Sequence, residues 1–175
     1  MVTRCLCVFL LFCAASSVAC TGLAYRPMTD AMAPTLTTKD MCVVDPFAYS
    51  NGKPVERFDI VVYEAPEDVK RRTGQQGNVR FVKRVVGLPG EKLEIRRNVL
   101  YINDKPIDEP FEKVIDEKDP KRNYGPINIG SDLYFIVGDN RPNSEDSRYN
   151  EHGLINRNAI VSKVIKINSG FYRDR

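Results

Sequence analysis

"VRFVKRVVGLPGE" (residues 79–91) is the stretch from which the fold is read. On a strand, alternate side chains share a face, so Val79, Phe81, Lys83 and Val85 point one way and Arg80, Val82, Arg84 and Val86 the other. Gly87 and Pro89-Gly90 end the run. Lys83 therefore stands in an otherwise apolar row. An ammonium group there is desolvated, which lowers its pKa and makes a neutral amine available as a general base. The competing reading is a lysine that snorkels out of an edge strand. The strand alone does not separate the two.

Working outward, six more runs rich in Val, Ile, Tyr or Phe and bounded by turn residues predict strands. They are 41–45, 58–64, 91–97, 99–104, 132–139 and 159–167. "EIRRNVLYI" predicts a hairpin turning at Arg97-Asn98, with a second turn at Asn103-Asp104. No helical periodicity of 12 or more residues is visible after residue 26. The polar stretches 65–78 and 105–131 read as surface loops or small excursions, their charges as solvated faces. The fold class is mainly β, with residues 26–175 as one domain.

Composition narrows the function. Hydrophobic residues make up 42 % and charged residues 28 % of 175 residues, ordinary for a globular chain. A net charge of +3 without a long basic run gives no footprint for nucleic acid. One histidine, His152, argues against a His-based metal site or triad, and no cofactor motif is present. Four of five cysteines lie in the first 20 residues, which leaves Cys42 alone in the domain and excludes a disulfide framework there. In "MCVVD", Cys42 reads as a small buried hydrophobe.

Residues 5–25 carry no charge, between Arg4 and Arg26. As a helix they would cover ~30 Å, one hydrocarbon core. Residues 1–25 thus read as a single-span anchor, as a cleaved signal peptide with a small-residue site at Ser17-Val18-Ala19, or as a lipoprotein signal with Cys20 lipidated. Each places the domain on the extracytoplasmic side of the cytoplasmic membrane.

Two loops carry candidate chemistry. "VGDNRPNSEDSRYNEHG" (137–153) packs charged and amide groups after an apolar strand; Asp146 and Arg148 are placed to pair, and Ser144 to orient a neighbour. "TDAMAPTL" (29–36) precedes a strand, with Pro34 fixing the backbone and Thr35 satisfying it locally. Backbone N–H groups in such a loop can form an oxyanion hole.

These stretches, in this order, resemble the bacterial signal peptidase I family, membrane-bound serine endopeptidases with a Ser-Lys dyad. "AMAPTL" is similar to the family's Ser-Met-x-Pro-Thr-Leu box, "RFDIVVY" to Arg-Gly-Asp-Ile-Val-Val, "FVKRVVGLPGE" to the lysine box, and "GDNRPNSEDSR" to Gly-Asp-Asn-x-x-x-Ser-x-Asp-Ser-Arg. The resemblance covers about residues 20–167. It implies a mainly β core preceded by one apolar helix, and signal peptides of preproteins as partners. Lys83 falls on the general base and Ser144 on the serine that orients it. Asp146 and Arg84 fall on supporting charges, and Arg148 on the partner of Asp146. Thr29 falls on the upstream hydroxyl of the oxyanion hole, Met32 and Pro34 on the substrate-shaping loop.

The sequence departs from the family at three points. Phe58 replaces Gly, Pro142 enters the last box, and the nucleophilic serine falls on Ala31. A methyl group neither loses a proton nor attacks a carbonyl. Three accounts follow: a homologue that binds signal peptides or a partner peptidase without cutting, cleavage by another nucleophile (Thr29 or Cys42), or an alanine put in place of serine. A plain envelope lipoprotein without peptide binding is a further reading. If Lys83 were charged and structural, Asp30 is the expected partner.

Overall fold

The computed structural model describes residues 23–74, 76–150 and 152–171. The expected N-terminal helix and the lipidation at Cys20 lie outside the described residues. Among those described, no helix is long and apolar enough to cross a membrane.

In chain order the elements are β1 (Leu23–Tyr25), β2 (Met41–Asp45), β3 (Ile60–Glu64), α1 (Glu67–Thr73), β4 (Arg80–Gly87), β5 (Lys92–Arg96), β6 (Val99–Ile102), β7 (Lys105–Pro106), β8 (Tyr124–Asn128), β9 (Leu133–Val137), β10 (Ile155–Asn156) and β11 (Ile160–Asn168). A seven-stranded antiparallel sheet runs β1-β2-β11-β3-β4-β9-β10, and a four-stranded sheet runs β7-β6-β5-β8. The mainly β expectation holds. Both hairpin turns also fall where expected, with Arg97, Asn98, Asn103 and Asp104 all at positive φ, the geometry of a two-residue turn that follows the sheet's twist.

Strand β4 explains why "VRFVKRVVG" is so apolar. It lies between β3 and β9, so both its edges are paired, and its residues from Val82 to Gly87 are buried. Val85 joins Val61, Tyr63 and Ile136 on one face, with Phe81 against them. On the other, Val82 packs with Met32, Leu36 and Val62. A bulge between Val85 and Gly87 turns Val86 into the cluster of Leu93, Phe135 and Val137 that joins the two sheets. A Cβ on Gly87 would sit 2.4 Å from Ile129 Cδ1 and 2.8 Å from Phe135 Cβ, so any side chain there makes the junction repack. Cys42 is fully buried as expected, and burial pushes its thiol up to about 11.

Three local readings need correction. Leu23–Tyr25, grouped by sequence with the apolar segment, pairs with β2. The connector 65–78 holds the short helix α1, with Glu67 and Asp68 in its first turn, Lys70, Arg71 and Arg72 in its last, and Gly74 closing it at φ 67°. At seven residues it is too short to show a period. The excursion 105–131 contains β8, which pairs with β5; "YGPIN" looks unlike a strand because Pro126 is tolerated only on an edge. Nor are the charges of 105–131 all solvated: the Glu109 carboxylate is only 2 % exposed.

Candidate active site

Lys83 is an interior residue of β4, opposite Val61 of β3 and 4 % exposed. The snorkelling alternative therefore fails. Its Nζ donates to its neighbour's carbonyl, Val82 O, at 3.3 Å, and lies 5.7 Å from the centre of the Phe81 ring. Burial pushes the ammonium down to about 8, against the pull of Asp146, Glu145 and Asp139. Asp30 is not its partner: Asp30 Oδ1 accepts from Thr38 N at 2.7 Å. A pKa lowered by burial does not fit a lysine held charged by an adjacent carboxylate partner.

The other candidates come from the loop after β9. Asp146 is fully buried and accepts from Arg148 Nε at 2.8 Å and Nη2 at 2.9 Å. Gly138 N adds a third bond at 3.1 Å. Burial opposes ionisation of Asp146, but these donors outweigh it and hold the carboxyl below its usual range. The expected Asp146–Arg148 pair is thus present. Arg148 also donates from Nη2 to Arg141 O at 2.6 Å, which shapes the turn Arg141–Asn143 ahead of Ser144. Pro142 is the second residue of that turn, where its missing N–H would have had no partner within the turn. Ser144 Oγ is buried with no well-formed hydrogen bond among the described residues.

Arg84, one residue beyond Lys83, points to the opposite face of β4 and clamps Asp139 instead. Its Nε and Nη2 donate to the two Asp139 oxygens at 2.9 and 2.6 Å. Thr35 Oγ1 donates to the same carboxylate at 2.6 Å. The site loop 29–36 and the loop after β9 are therefore tied through one buried carboxylate. Asp139 was not singled out from sequence, although it lies within the quoted "GDN".

Ala31 is buried. Its carbonyl accepts from Asn140 N at 3.1 Å, and Asn140 Nδ2 donates to Asp30 O at 3.2 Å. A Cβ on Gly138 would lie 2.3 Å from both Ala31 O and Ser144 Oγ. The absence of a side chain at 138 is what lets position 31 and Ser144 close over the end of β9.

Thr29, Phe81, Lys83, Ser144 and Tyr149 line one cleft of about 330 Å³. Met32 packs in the core with Leu36 and Val82 and also borders a small cavity beside Lys83. Pro34 is exposed. Sequence reasoning also missed a buried pair behind Phe81, where Tyr63 Oη and His152 Nε2 lie 2.6 Å apart. Burial, reinforced by the Lys83 charge, pushes His152 down to about 4. Among the described residues no group of three or more His, Cys, Asp or Glu side chains is arranged to hold a metal.

A buried lysine with a lowered pKa and a buried serine thus line one cleft. The sequence profile of the family "Signal peptidase, peptidase S26" matches residues 1–167. The probable signal peptidase I-2 of Synechocystis sp. is 31 % identical over 136 residues, covering 78 % of this chain and 58 % of that protein. The signal peptidase I P of Bacillus subtilis subsp. natto is 36 % identical over 143 residues, 78 % of this chain and 71 % of the relative. The chain thus spans under two thirds of the Synechocystis relative's length. A crystal structure of a signal peptidase I from Enterococcus faecalis V583 superposes with a TM-score of 0.51 at 28 % identity, covering 65 % of this chain and 98 % of that one. Sequence profile, relatives and fold agree that the chain belongs to the signal peptidase I family, peptidase S26.

Proposed function

We propose that this chain binds the signal peptides of exported preproteins at the outer face of the cytoplasmic membrane and does not cut them by the Ser-Lys route. The observation that carries this is Ala31: it occupies the buried loop position over Gly138 beside Ser144, and Ser144 lines the cleft of Lys83, whose pKa is lowered to about 8. In this reading Lys83 is the general base of the family reaction, Ser144 shares its cleft without bonding to it, and Thr29 and the 29–36 backbone face the developing oxyanion. Asp146–Arg148 and Arg84–Asp139 hold the two loops. With alanine at 31 the base has no hydroxyl to deprotonate, so the cleft remains a binding surface. Exposed Leu23 and Met28, at the start of the domain, support a site close to the membrane.

A second reading keeps the chemistry with Thr29 as nucleophile, since Thr29 and Lys83 line the same cleft. Cys42 does not serve, being sealed in the core with its thiol pushed up to about 11. The experiment is cleavage of a preprotein in detergent by the natural chain and by Ala31→Ser. The binding reading expects cleavage only by the serine variant. Cleavage by the natural chain that disappears in Thr29→Val supports the second reading instead.

A further inference from the structure

The polar excursion after β7 reaches back to the site. Glu109 receives Arg141 Nη2 on one carboxylate oxygen and Lys113 Nζ on the other. The Arg141 and Glu109 side chains are each 2 % exposed, so this pair is sealed from water. Lys113 Nζ also donates to Asn98 O at 3.3 Å, anchoring the segment on the small sheet. Two residues beyond Glu109, the Phe111 ring covers the Arg84 guanidinium at 3.8 Å. Val114 then joins the loop after β9 through its backbone, donating to Asp139 O at 2.9 Å and accepting from Arg141 N at 3.0 Å. Asn140, held between those two residues, donates to Ala31 O.

Phe58 points to the same arrangement. It sits at φ 73°, a conformation that glycine adopts freely and a phenylalanine does not. Its ring meets Phe111 edge-on, with centroids 5.6 Å apart, while its carbonyl accepts from Arg84 Nη1 at 3.0 Å. The departure from glycine at 58 thus supplies a wall for Phe111.

We propose that residues 109–114 form a strap that positions the loop of Ala31, with Glu109 and Phe111 as its positioning residues, acting through Arg141, Asp139 and Asn140. Its meaning for peptide recognition rests on the reading of Ala31 given above; the mechanical coupling does not. The strap braces the outer side of the 139–141 turn. Phe111 keeps water from the Arg84–Asp139 pair, and Glu109 neutralises Arg141 where that side chain turns inward to Gly138 O.

Amide hydrogen exchange on the natural chain tests this without peptide or turnover. Phe111→Ala and Glu109→Gln are each expected to speed exchange at Asn140, Ala33 and Leu36 by about tenfold, the scale of a local opening made easier by one lost anchor. The amides of the β5–β6 hairpin are expected to keep their protection. Phe111→Tyr, which retains the ring, is expected to restore slow exchange at Asn140. Unchanged exchange at Asn140 in both variants overturns the strap, and so does uniform acceleration across the chain, which would mark ordinary loss of stability. Failure of Ala31→Ser to cleave would count against the proposed function and leave this result standing.

Discussion

Lys83 and Ser144 line one cleft and are both buried, yet their functional atoms do not meet: Lys83 Nζ turns to Val82 O and Ser144 Oγ has no well-formed bond among the described residues. Two polar groups held out of water without satisfying one another carry a desolvation cost. In the proposed reading, the group absent from the site is a hydroxyl at position 31. Ala31→Ser is expected to cleave a preprotein at least about a hundredfold faster than the natural chain, the usual scale for a positioned general base. In the proposed reading Lys83 works as the free amine, so the rate should rise with pH and level off above its pKa of about 8. A pH-independent rate would remove Lys83 from the base role.

The same lysine sets a stability window. Its pKa falls from 10.5 unfolded to about 8 folded, so between these values the unfolded chain binds more protons and stability rises with pH. Below about 8 the full penalty is present. Lys83→Met should therefore stabilise the protein at pH 7 by at most about 3 kcal/mol, with the gain shrinking towards pH 10.5. Urea unfolding at pH 7 and pH 10 measures both; equal gains at the two values would contradict the linkage.

His152 gives the matching effect on the acid side. It is buried neutral, with its pKa depressed from 6.5 to about 4 by burial and by Lys83, partly offset by Asp146. As pH falls through this range the unfolded chain gains a proton that the folded chain refuses, so stability drops by up to about 3 kcal/mol. His152→Phe should flatten the melting-temperature profile between pH 6.5 and 4. Loss below pH 4 should persist, since the depressed Asp146 carboxyl is protonated only there.

Arg84 and Asp139 form a bidentate pair with side chains 8 % and 0 % exposed. Removing one partner strands the other charge, at a cost of about 3–5 kcal/mol. Arg84→Met or Asp139→Leu alone should reach that range in urea unfolding, while the double variant should be milder than their sum. Additive losses would show that the pair is not coupled.

Gly138→Ala tests the approach of the two loops. A methyl group there would meet the Ala31 carbonyl and Ser144 Oγ at 2.3 Å, so one loop must move. In the Ala31→Ser background, displacement by ~1 Å is expected to cost about a hundredfold in rate. Unaltered turnover would mean that the loops yield at no catalytic cost.

Much of this was legible in local pattern. The alternation in β4, the turns at Arg97-Asn98 and Asn103-Asp104, and the Asp146–Arg148 pair two residues apart follow from spacing and residue chemistry over short range. The partner of Arg84 was not: Asp139 is 55 residues away, and no local rule chooses it from the other carboxylates. The charges of 105–131 read as solvated because their neighbours are polar; the Glu109 side chain is buried against Arg141, and Phe111 lies on Arg84, both distant in sequence. The helix α1 and the strand β8 were missed for a related reason, being too short or too rich in Gly and Pro to show a period.

The sequence by itself determined the β character, the family, and the absence of a hydroxyl at position 31, since these depend on residue identity and spacing. Only the tertiary structure decided that Lys83 is an interior residue near neutrality, that Gly138 closes Ala31 onto Ser144, and that a polar excursion braces the site. Those properties belong to desolvation and packing, which exist only once segments far apart in the chain exclude water from one another.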